Sequence, residues 1–297
     1  MSPGPGGKNV TVAGGDNRQC QVAKALVAYG FSVKVLRLPC REEFNEIIVT
    51  NNWQEAMSPC DVLVLPISGV TPENEIRTAD GEKRLFIDED FWRYVPLNLN
   101  IIAGSWPEHL HEKSRKKNLK VFEYAECDEI AVPNAIPTAE GALQIAINEI
   151  PITISGADVL VLGFGRVSAA VARLFAAAGA KIHVAARRSE MRAIAVLSGY
   201  QAVTFMELPA IIGGMDVVIN TVPAPVLTRE LICRMKKEAL IIDLASSPGG
   251  TDFQAAEESN IKAILALGLP GKIAPKTAGR ILASTLPKII LRELGLT

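Results

Sequence analysis

The stretch VLVLGFGRVSAAVARLFAAAGAKIHVAARR, from Val159 to Arg188, decides the fold predicted for this chain. It begins with an apolar run of strand length, Val159 to Leu162, followed by the turn Gly163-Phe164-Gly165-Arg166-Val167-Ser168 and an apolar helical pattern. A second apolar run, from Ala180 to Ala186, has the length of another strand. Strand, glycine turn, helix and strand in this order form the context in which a G-x-G-x-x-G pattern indicates a dinucleotide-binding site.

The residues of this turn have predicted roles in holding a pyrophosphate. Gly163 allows the sharp turn, and Gly165 lets the backbone approach the phosphates closely. The amides that open the next helix, around Arg166 and Val167, face the anion. Ser168 occupies the position where glycine or alanine usually serves close packing of helix on strand, so a mild strain is expected there. A structural strand–helix–strand unit without a ligand is the alternative interpretation.

The end of the second strand indicates which dinucleotide is bound. Domains that bind NAD usually carry Asp or Glu about 20 residues after the glycines, where the carboxylate accepts a ribose hydroxyl. Here the strand ends in Arg187-Arg188-Ser189, and the first carboxylate is Glu190. Because guanidinium groups bind phosphate bidentately, these residues favour the 2′-phosphate of NADP. An ordinary solvated strand end is the alternative.

The composition indicates a globular protein with room for two domains. The 297 residues are 48% hydrophobic and 21% charged, with a formal net charge of −1. This balance gives no electrostatic case for binding nucleic acid or an anionic membrane, and no apolar run reaches the ~18 residues of a membrane helix. Residues 1–9 lack the hydrophobic core of a secretory signal. Scattered cysteines without metal-site spacing predict the reduced thiols of a cytosolic protein. They are Cys20, Cys40, Cys60, Cys127 and Cys233.

The first half of the chain repeats the alternation of strands and helices. A strand at Val10–Ala13, a helix at Arg18–Tyr29 and a strand at Ser32–Leu36 follow one another. Further strands are predicted at 61–65, 100–103 and 120–122, so a second parallel sheet covered on both faces is expected. In its first turn, Asp16 places a negative charge where a pyrophosphate needs amides. This domain is therefore predicted to be Rossmann-like without a nucleotide site, with Asp16 either capping the helix or facing a cleft between the domains.

Prolines mark the predicted connection between the two domains. Between Pro133 and Pro151, a helix is predicted over Thr138–Glu149, which places Thr138 and Glu140 in its first turn. For Glu140, an interaction with the helix dipole is the alternative to a catalytic role. The predicted domains are residues 1–150 and an NADP-binding domain of residues 151–276. The closing helical run, residues 277–297 with an interruption at Pro287, either ends the chain separately or completes the first domain.

Polar loops follow the later strands of the second sheet. Strands are predicted at Asp216–Asn220, Leu240–Asp243 and Ala263–Leu265, and a loop at Gly268–Lys272. Ligands of doubly wound sheets bind outside the carboxyl ends of the strands, so the loops after the first two should border the nicotinamide half of the cofactor. The predicted contact residues there are Thr221, Val222, Pro223, Ala245 and Ser246.

Several strings spread over the chain resemble the family of dipicolinate synthase A subunits of spore-forming bacteria. They are GGDNRQ (Gly14–Gln19), NAIPTAEG (Asn134–Gly141), VLGFGR (Val161–Arg166), IDLASSPGGTDF (Ile242–Phe253) and GLPGKIAPKTAGRIL (Gly268–Leu282). More distantly, the layout looks like the two-domain alanine and 2-hydroxy-acid dehydrogenases. The resemblance implies an α/β fold with two Rossmann-like, doubly wound parallel-sheet domains joined by a linking helix.

The resemblance also implies a function. It implies NADP-dependent oxidation of dihydrodipicolinate, derived from 4-hydroxy-tetrahydrodipicolinate, to dipicolinate for spore formation. It further implies a flavoprotein-like partner, the B subunit of dipicolinate synthase, together with a homo-oligomer and a place in the cytoplasm of the sporulating mother cell.

Oxidising a dihydropyridine to an aromatic ring removes a hydride and a proton and requires that two carboxylates be held. The candidate proton acceptors are Asp16, Glu140 and, with less support, Asp243. If the 4-hydroxy compound is the substrate, Thr138 or Ser68 would assist the loss of water. The candidates for binding the two carboxylates are Arg18, Lys272, Lys276 and the backbone amides of Gly249 and Gly250.

Two other functions stay open at this point. The chain presents no unmistakable catalytic residue, so it could be an NADP-binding scaffold or regulatory subunit whose partner carries the chemistry. It could also be a dehydrogenase for another small carboxylic acid. The sequence lacks a histidine with a neighbouring acid at a plausible site for oxidising a hydroxy acid, which argues against this dehydrogenase function.

Overall fold

The computed structural model describes residues 6–39, 46–79 and 84–296. The chain forms two compact units. Unit 1 consists of Met1–Ala131 and Pro275–Thr297, and unit 2 of Val132–Ala274. Among the described residues, no helix is both long and apolar enough to cross a membrane.

Short strands and helices alternate along both units. The strands are β1 (Asn9–Ala13), β2 (Ser32–Leu36), β3 (Ile48–Thr50), β4 (Val62–Val64), β5 (Glu75–Ile76), β6 (Leu85–Phe86), β7 (Asn100–Ala103), β8 (Lys120–Glu123), β9 (Asp158–Leu162), β10 (Lys181–Ala185), β11 (Gln201–Val203), β12 (Val217–Asn220), β13 (Leu240–Asp243) and β14 (Lys262–Leu265). The helices are α1 (Asn17–Ala28), α2 (Trp53–Ala56), α3 (Glu89–Tyr94), α4 (Glu108–Lys116), α5 (Asp128–Glu149), α6 (Arg166–Ala177), α7 (Ser189–Leu197), α8 (Leu208–Ile211), α9 (Arg229–Ile232), α10 (Phe253–Glu258), α11 (Leu269–Ile273) and α12 (Pro275–Glu293).

Each unit contains one six-stranded sheet, and the two sheets have the same strand order. The order is β3-β2-β1-β4-β7-β8 in unit 1 and β11-β10-β9-β12-β13-β14 in unit 2. All neighbouring strands in both sheets are parallel. This is the order of the doubly wound dinucleotide-binding fold, which confirms the predicted fold class. The order reverses between β1 and β4 and between β9 and β12, where such sheets bind ligands.

Side chains of the central strands enter the cores on both faces of their sheet. In β9, Val159 and Val161 lie in the buried cluster that contains Phe175 of α6. Leu160 and Leu162 lie in a second cluster on the opposite face. Burial on both faces is why this strand is a continuous apolar run in the sequence.

The closing helix α12 belongs to the core of unit 1. Its Leu282 and Leu286 are buried in the same cluster as the apolar side chains of α1. A Cβ on Gly279 would lie 2.4 Å from the side-chain Nε2 of Gln21 in α1, so the two helices approach closely. The expected interruption at Pro287 is wrong, because the helix continues through this buried proline. Packing against α1 therefore outweighs the lost backbone hydrogen bond.

Helix α5 begins earlier than the sequence predicted. It starts at Asp128 and contains Pro133 and Pro137 in its interior. The expected start at Thr138 is therefore wrong, and Thr138 and Glu140 lie in the middle of the helix. Acidic residues in the first turn favour the earlier start, because they interact with the helix dipole.

One cysteine differs from the prediction that all cysteines are reduced thiols. Cys20 is disulfide-bonded. The expectation that all cysteines are reduced is therefore wrong for Cys20. Cys60, Cys127 and Cys233 are free thiols. Cys40 and residues 1–5, for which expectations were stated, lie outside the described residues.

Candidate functional site

The glycine turn after β9 leaves the space that phosphate groups require. Gly163 has a φ of 91°, and a Cβ there would lie 2.7 Å from Thr221 Oγ1, so this position requires glycine. Gly165 has an ordinary extended backbone, with φ −95° and ψ −161°. A Cβ on Gly165 would meet no described heavy atom within 4 Å beyond its chain neighbours. The open space above Gly165 therefore fits a pyrophosphate that approaches the backbone closely.

Helix α6 begins at the edge of this space. Gly165 is its N-cap, and the helical hydrogen bonds start with the Ala169 amide, which donates to the Gly165 carbonyl at 2.9 Å. The amides of the first turn therefore have no acceptor inside the helix. Ser168 is buried, and its hydroxyl accepts from the Gly165 amide at 2.6 Å and donates to the Gly165 carbonyl at 3.1 Å. Ser168 thus caps the turn, which corrects the expectation of strain.

Residues after β12 close one side of the turn. Thr221 donates its hydroxyl to the Leu162 carbonyl at 2.8 Å. A Cβ on Gly163 would lie 3.2 Å from Val222 Cγ2. Thr221 and Val222 therefore lie against the glycine turn, and Pro223 is exposed further along the same loop.

The end of β10 carries two exposed guanidinium groups. Arg187 and Arg188 are exposed, and within the described parts of the chain neither side chain has a hydrogen bond or ion pair. The Arg192 guanidinium donates to the carbonyls of Ala186 and Arg187, each at 2.8 Å, and so fixes the backbone between strand and helix. Ser189 is the exposed first residue of α7. Because β10 pairs directly with β9, this cationic tip adjoins the strand that carries the glycine turn.

Phe164 does not present its side chain to the open space. The ring is buried in the core of unit 2 and makes an edge contact with Tyr200, with centroids 6.2 Å apart. The prediction that Phe164 contacts the cofactor is therefore wrong for its side chain, which faces the core.

A buried carboxylate organises the loop after β13. Asp243 is fully buried, and its Oδ1 accepts from Asn220 Nδ2 at 3.0 Å and from the Ala245 amide at 2.9 Å. Its Oδ2 accepts from the Gly250 amide at 3.2 Å and the Thr251 hydroxyl at 2.6 Å. Four donors surround the carboxylate, so neither oxygen is accessible to accept a proton from a substrate. Asn220 and Thr251 were not among the predicted site residues. Asn220 has a recognisable signal in the sequence, because it is a polar residue that ends a buried strand, whereas Thr251 lies in a loop.

The amides of Gly249 and Gly250 are both engaged inside this loop. The Gly249 amide donates to the carbonyl of the exposed Ser246 at 2.8 Å, and the Gly250 amide to Asp243. The structure therefore contradicts the expectation that these two amides bind a substrate carboxylate.

Asp16 and Arg18 form a closed pair at the start of α1. The Asp16 carboxylate caps the helix by accepting from the Arg18 amide at 3.0 Å. Arg18 Nε and Nη2 also donate to its oxygens, at 2.9 and 2.8 Å. Burial raises the pKa of Asp16, but the hydrogen bonds and charge of Arg18 outweigh burial and hold it below its ordinary value. A carboxylate in this state is a weak proton acceptor, and the structure favours the capping role.

In unit 1, the peptide backbone covers the turn that corresponds to the phosphate site. The Gly15 amide donates to the Arg77 carbonyl at 2.7 Å, and the Ala79 amide donates to the Gly15 carbonyl at 3.0 Å. A Cβ on Gly14 would lie 2.4 Å from Ile76 Cγ2. Among the described residues, these contacts engage both glycines of the turn, and the absence of a nucleotide site in unit 1 stays a prediction.

The other predicted catalytic and substrate residues are distributed over three helices. Thr138 donates its hydroxyl to the Asn134 carbonyl at 2.8 Å. Glu140 is exposed and has no ion-pair partner within the described parts of the chain. Lys272 is exposed in helix α11, where the sequence predicted a loop, and Lys276 is exposed at the start of α12. Glu140 and the two lysines are therefore the accessible charged groups among these candidates.

The fold and the glycine turn define a protein with a dinucleotide-binding domain of the dehydrogenase type. Residues 140–248 match the model of the D-isomer specific 2-hydroxyacid dehydrogenase NAD-binding domain. Residues 9–125 match the model of the N-terminal domain of the dipicolinate synthase A subunit.

Relatives place the chain in a family. It is 35% identical over 288 residues to the dipicolinate synthase A subunit of Bacillus subtilis, which covers 96% of each chain. The crystal structure of the dipicolinate synthase A subunit from Bacillus halodurans matches with a TM-score of 0.87 and 37% identity, covering 95% of this chain and 97% of that one. An L-alanine dehydrogenase shares the fold, with a TM-score of 0.63 and 14% identity over 97% of this chain and 91% of that one. The chain belongs to the family of dipicolinate synthase A subunits, which confirms the resemblance found in the sequence.

Proposed function

We propose that this protein is the oxidoreductase subunit of a dipicolinate synthase. It oxidises dihydrodipicolinate, formed from 4-hydroxy-tetrahydrodipicolinate, to dipicolinate with NADP in the cytoplasm of the sporulating mother cell. The observation that carries this proposal is the relationship to the Bacillus subtilis protein, which extends over 96% of both chains and so includes both units. Because that relative is named as one subunit of a synthase, we also propose a flavoprotein-like B subunit for the partner, and a homo-oligomer of this chain.

The choice of NADP is supported by the end of β10. A 2′-phosphate at this point would meet the exposed guanidinium groups of Arg187 and Arg188 and the hydroxyl of Ser189. Charge-assisted hydrogen bonds of this kind are about twice as strong as neutral ones. The strand end carries no carboxylate before Glu190, so the usual partner of the NAD ribose is missing.

The bound cofactor supplies the hydride acceptor, and the protein must do the rest. Its side chains hold the ring, take up one proton and bind two carboxylates. We assign the proton to Glu140, because Asp16 is tied to Arg18 and Asp243 is enclosed. Lys272 and Lys276 are the proposed partners of the substrate carboxylates. Formation of the aromatic ring favours the reaction, so correct positioning is expected to contribute more than a strong base.

The assigned roles of Thr138 and Arg18 require a local rearrangement. Thr138 would assist the loss of water only if its hydroxyl left the Asn134 carbonyl. Arg18 would bind a substrate carboxylate only by giving up hydrogen bonds to Asp16. Both assignments are therefore secondary to Glu140 and the lysines.

The first test is formation of NADPH and dipicolinate by the purified chain. The substrate is generated in place from pyruvate and aspartate semialdehyde by the upstream aldolase, and NAD is run in parallel with NADP. We expect both products with NADP. Binding of NADP without turnover, restored when the B subunit is added, would make this chain the cofactor-binding part of a shared site. No turnover with the B subunit present would overturn the proposal.

A further inference from the structure

Two loops beyond the carboxyl ends of β12 and β13 are joined by backbone hydrogen bonds. The amides of Val226 and Leu227 donate to the Gly250 carbonyl at 3.1 and 2.9 Å. The Asp252 amide donates to the Leu227 carbonyl at 2.9 Å, and Leu227 pairs with Thr251 in a parallel bridge. We call these two segments the paired loops: residues 221–228 and 244–252.

The paired loops approach so closely that position 250 has no room for a side chain. A Cβ on Gly250 would lie 2.5 Å from both Asn220 Nδ2 and the Val222 carbonyl oxygen, and 2.7 Å from the Ala224 carbonyl oxygen. Asn220 fixes the first loop, because its amide group donates to the Val222 carbonyl at 3.1 Å and accepts from the Val222 amide at 3.0 Å. The same amide group donates to Asp243, so the buried Asn220–Asp243 pair connects the two loops.

A cavity opens between the paired loops. It has a volume of about 240 Å³ and is walled by both segments. Its lining includes Leu227 of the first loop and Gly250 and Thr251 of the second. Two of them, Gly250 and Thr251, are the donors to Asp243 Oδ2, so the shape of the cavity depends directly on this carboxylate.

The position of the paired loops on the sheet indicates which part of a dinucleotide they face. The glycine turn follows the central strand β9, and the cationic tip of β10 lies on one side of it. Strands β12 and β13 lie on the other side. A dinucleotide that crosses the switch point with its adenosine half at β10 therefore has its nicotinamide half at the paired loops.

We propose that Asp243 is a positioning residue that shapes the nicotinamide subsite through the paired loops, without contacting the cofactor. This inference depends on the proposed function only in requiring a nicotinamide dinucleotide. A carboxylate is acceptor-only and provides an acceptor for all four donors around it. The isosteric amide of Asp243→Asn would direct its NH₂ group at two of these donors. The paired loops would then separate locally, while the apolar strands keep the sheet intact.

The test compares two ligands that differ only in the nicotinamide part. Binding of NADP and of 2′-phospho-ADP-ribose to the full-length chain is measured by calorimetry, and emission of bound NADPH reports the surroundings of the nicotinamide ring. The variants are D243N, Thr251→Val, which removes one donor to Asp243, and Thr251→Ser, the matched control that keeps the hydroxyl.

We expect D243N and T251V to bind NADP about fivefold or more weakly, the size of effect that one lost hydrogen bond produces. Affinity for 2′-phospho-ADP-ribose should stay within about twofold of wild type, and the emission of bound NADPH should move towards that of free NADPH. T251S should behave as wild type. Equal losses for both ligands, or unchanged NADP binding in both variants, would overturn the inference. If D243N does not fold, the binding data for T251V alone test the inference. Wild-type protein that binds neither ligand would instead overturn the proposed cofactor.

Discussion

The Gly165 amide donates a hydrogen bond to the Ser168 hydroxyl at 2.6 Å, within the turn that opens helix α6. This bond turns the Gly165 amide inward, so the ligand space beside it is bordered by the later amides of the helix. A serine where glycine or alanine is usual thereby stabilises the turn. The turn is therefore stabilised without any side chain in the space beside Gly165.

Gly165→Ala should therefore separate binding from stability. Alanine suits the φ of −95°, and its Cβ meets no described heavy atom within 4 Å beyond its chain neighbours, so the melting temperature should stay at the wild-type value. The Cβ would fill the phosphate space, and NADP affinity should fall about tenfold or more. Calorimetry and thermal unfolding measure the two effects.

Gly163→Ala is the control for that experiment. With a φ of 91° and Thr221 Oγ1 at 2.7 Å from the new Cβ, it should lose more than about 1 kcal/mol of stability. Wild-type affinity for NADP in G165A would show that the phosphates do not lie over Gly165.

Replacing both Arg187 and Arg188 by Ala should change the preference between cofactors. Two charge-assisted hydrogen bonds are worth about 1.5–3 kcal/mol each, so NADP affinity should fall about 100-fold or more. NAD has no 2′-phosphate, and its affinity should change little. Arg173→Ala, an exposed arginine of α6, is the matched control. Equal losses for NAD and NADP in the double variant would refute the assignment.

Asp16→Ala and Asp16→Asn should show that this carboxylate stabilises unit 1. The alanine variant loses the N-cap and about 1 kcal/mol of stability at neutral pH, whereas asparagine preserves the cap. The folded pKa of Asp16 is lowered, so the contribution of its charge is present above the unfolded pKa and is lost as pH falls through the folded value. The stability difference between wild type and D16N should therefore shrink below about pH 4.

Urea midpoints between about pH 3 and 7 measure this difference. The charge contribution should be modest, because the Asp16 side chain is 42% exposed and is screened by solvent. A D16N protein with wild-type stability but no turnover would restore Asp16 as a catalytic candidate.

Glu140→Gln should lower kcat by about 10²–10⁴-fold and leave NADP affinity unchanged, because only the proton acceptor is removed. Glu238→Gln, an exposed glutamate elsewhere in unit 2, should have wild-type turnover. Undiminished turnover by E140Q would exclude Glu140 as the base.

The sequence predicted most of the strands because their signals are local. Strands β2, β7 and β13 begin and end at the predicted residues, since each is a compact, largely buried run. The edge strands β3 and β11 were missed. Each has only three residues and is partly exposed, so neither forms a continuous apolar run. Their presence follows instead from hydrogen bonding to a strand that is already in place.

By itself, the sequence determined the doubly wound fold, the glycine turn and the cationic tip at Arg187 and Arg188. These features depend on residues within one strand–turn–helix–strand segment, where conformational preference and apolar periodicity act between near neighbours. Only the tertiary structure decided that Asp243 is enclosed by donors from two loops. Its partner Asn220 is 23 residues away along the chain, and the pairing of β12 with β13 brings the two side chains together. Hydrogen-bond partners across a parallel sheet depend on strand order and register, which no local pattern specifies.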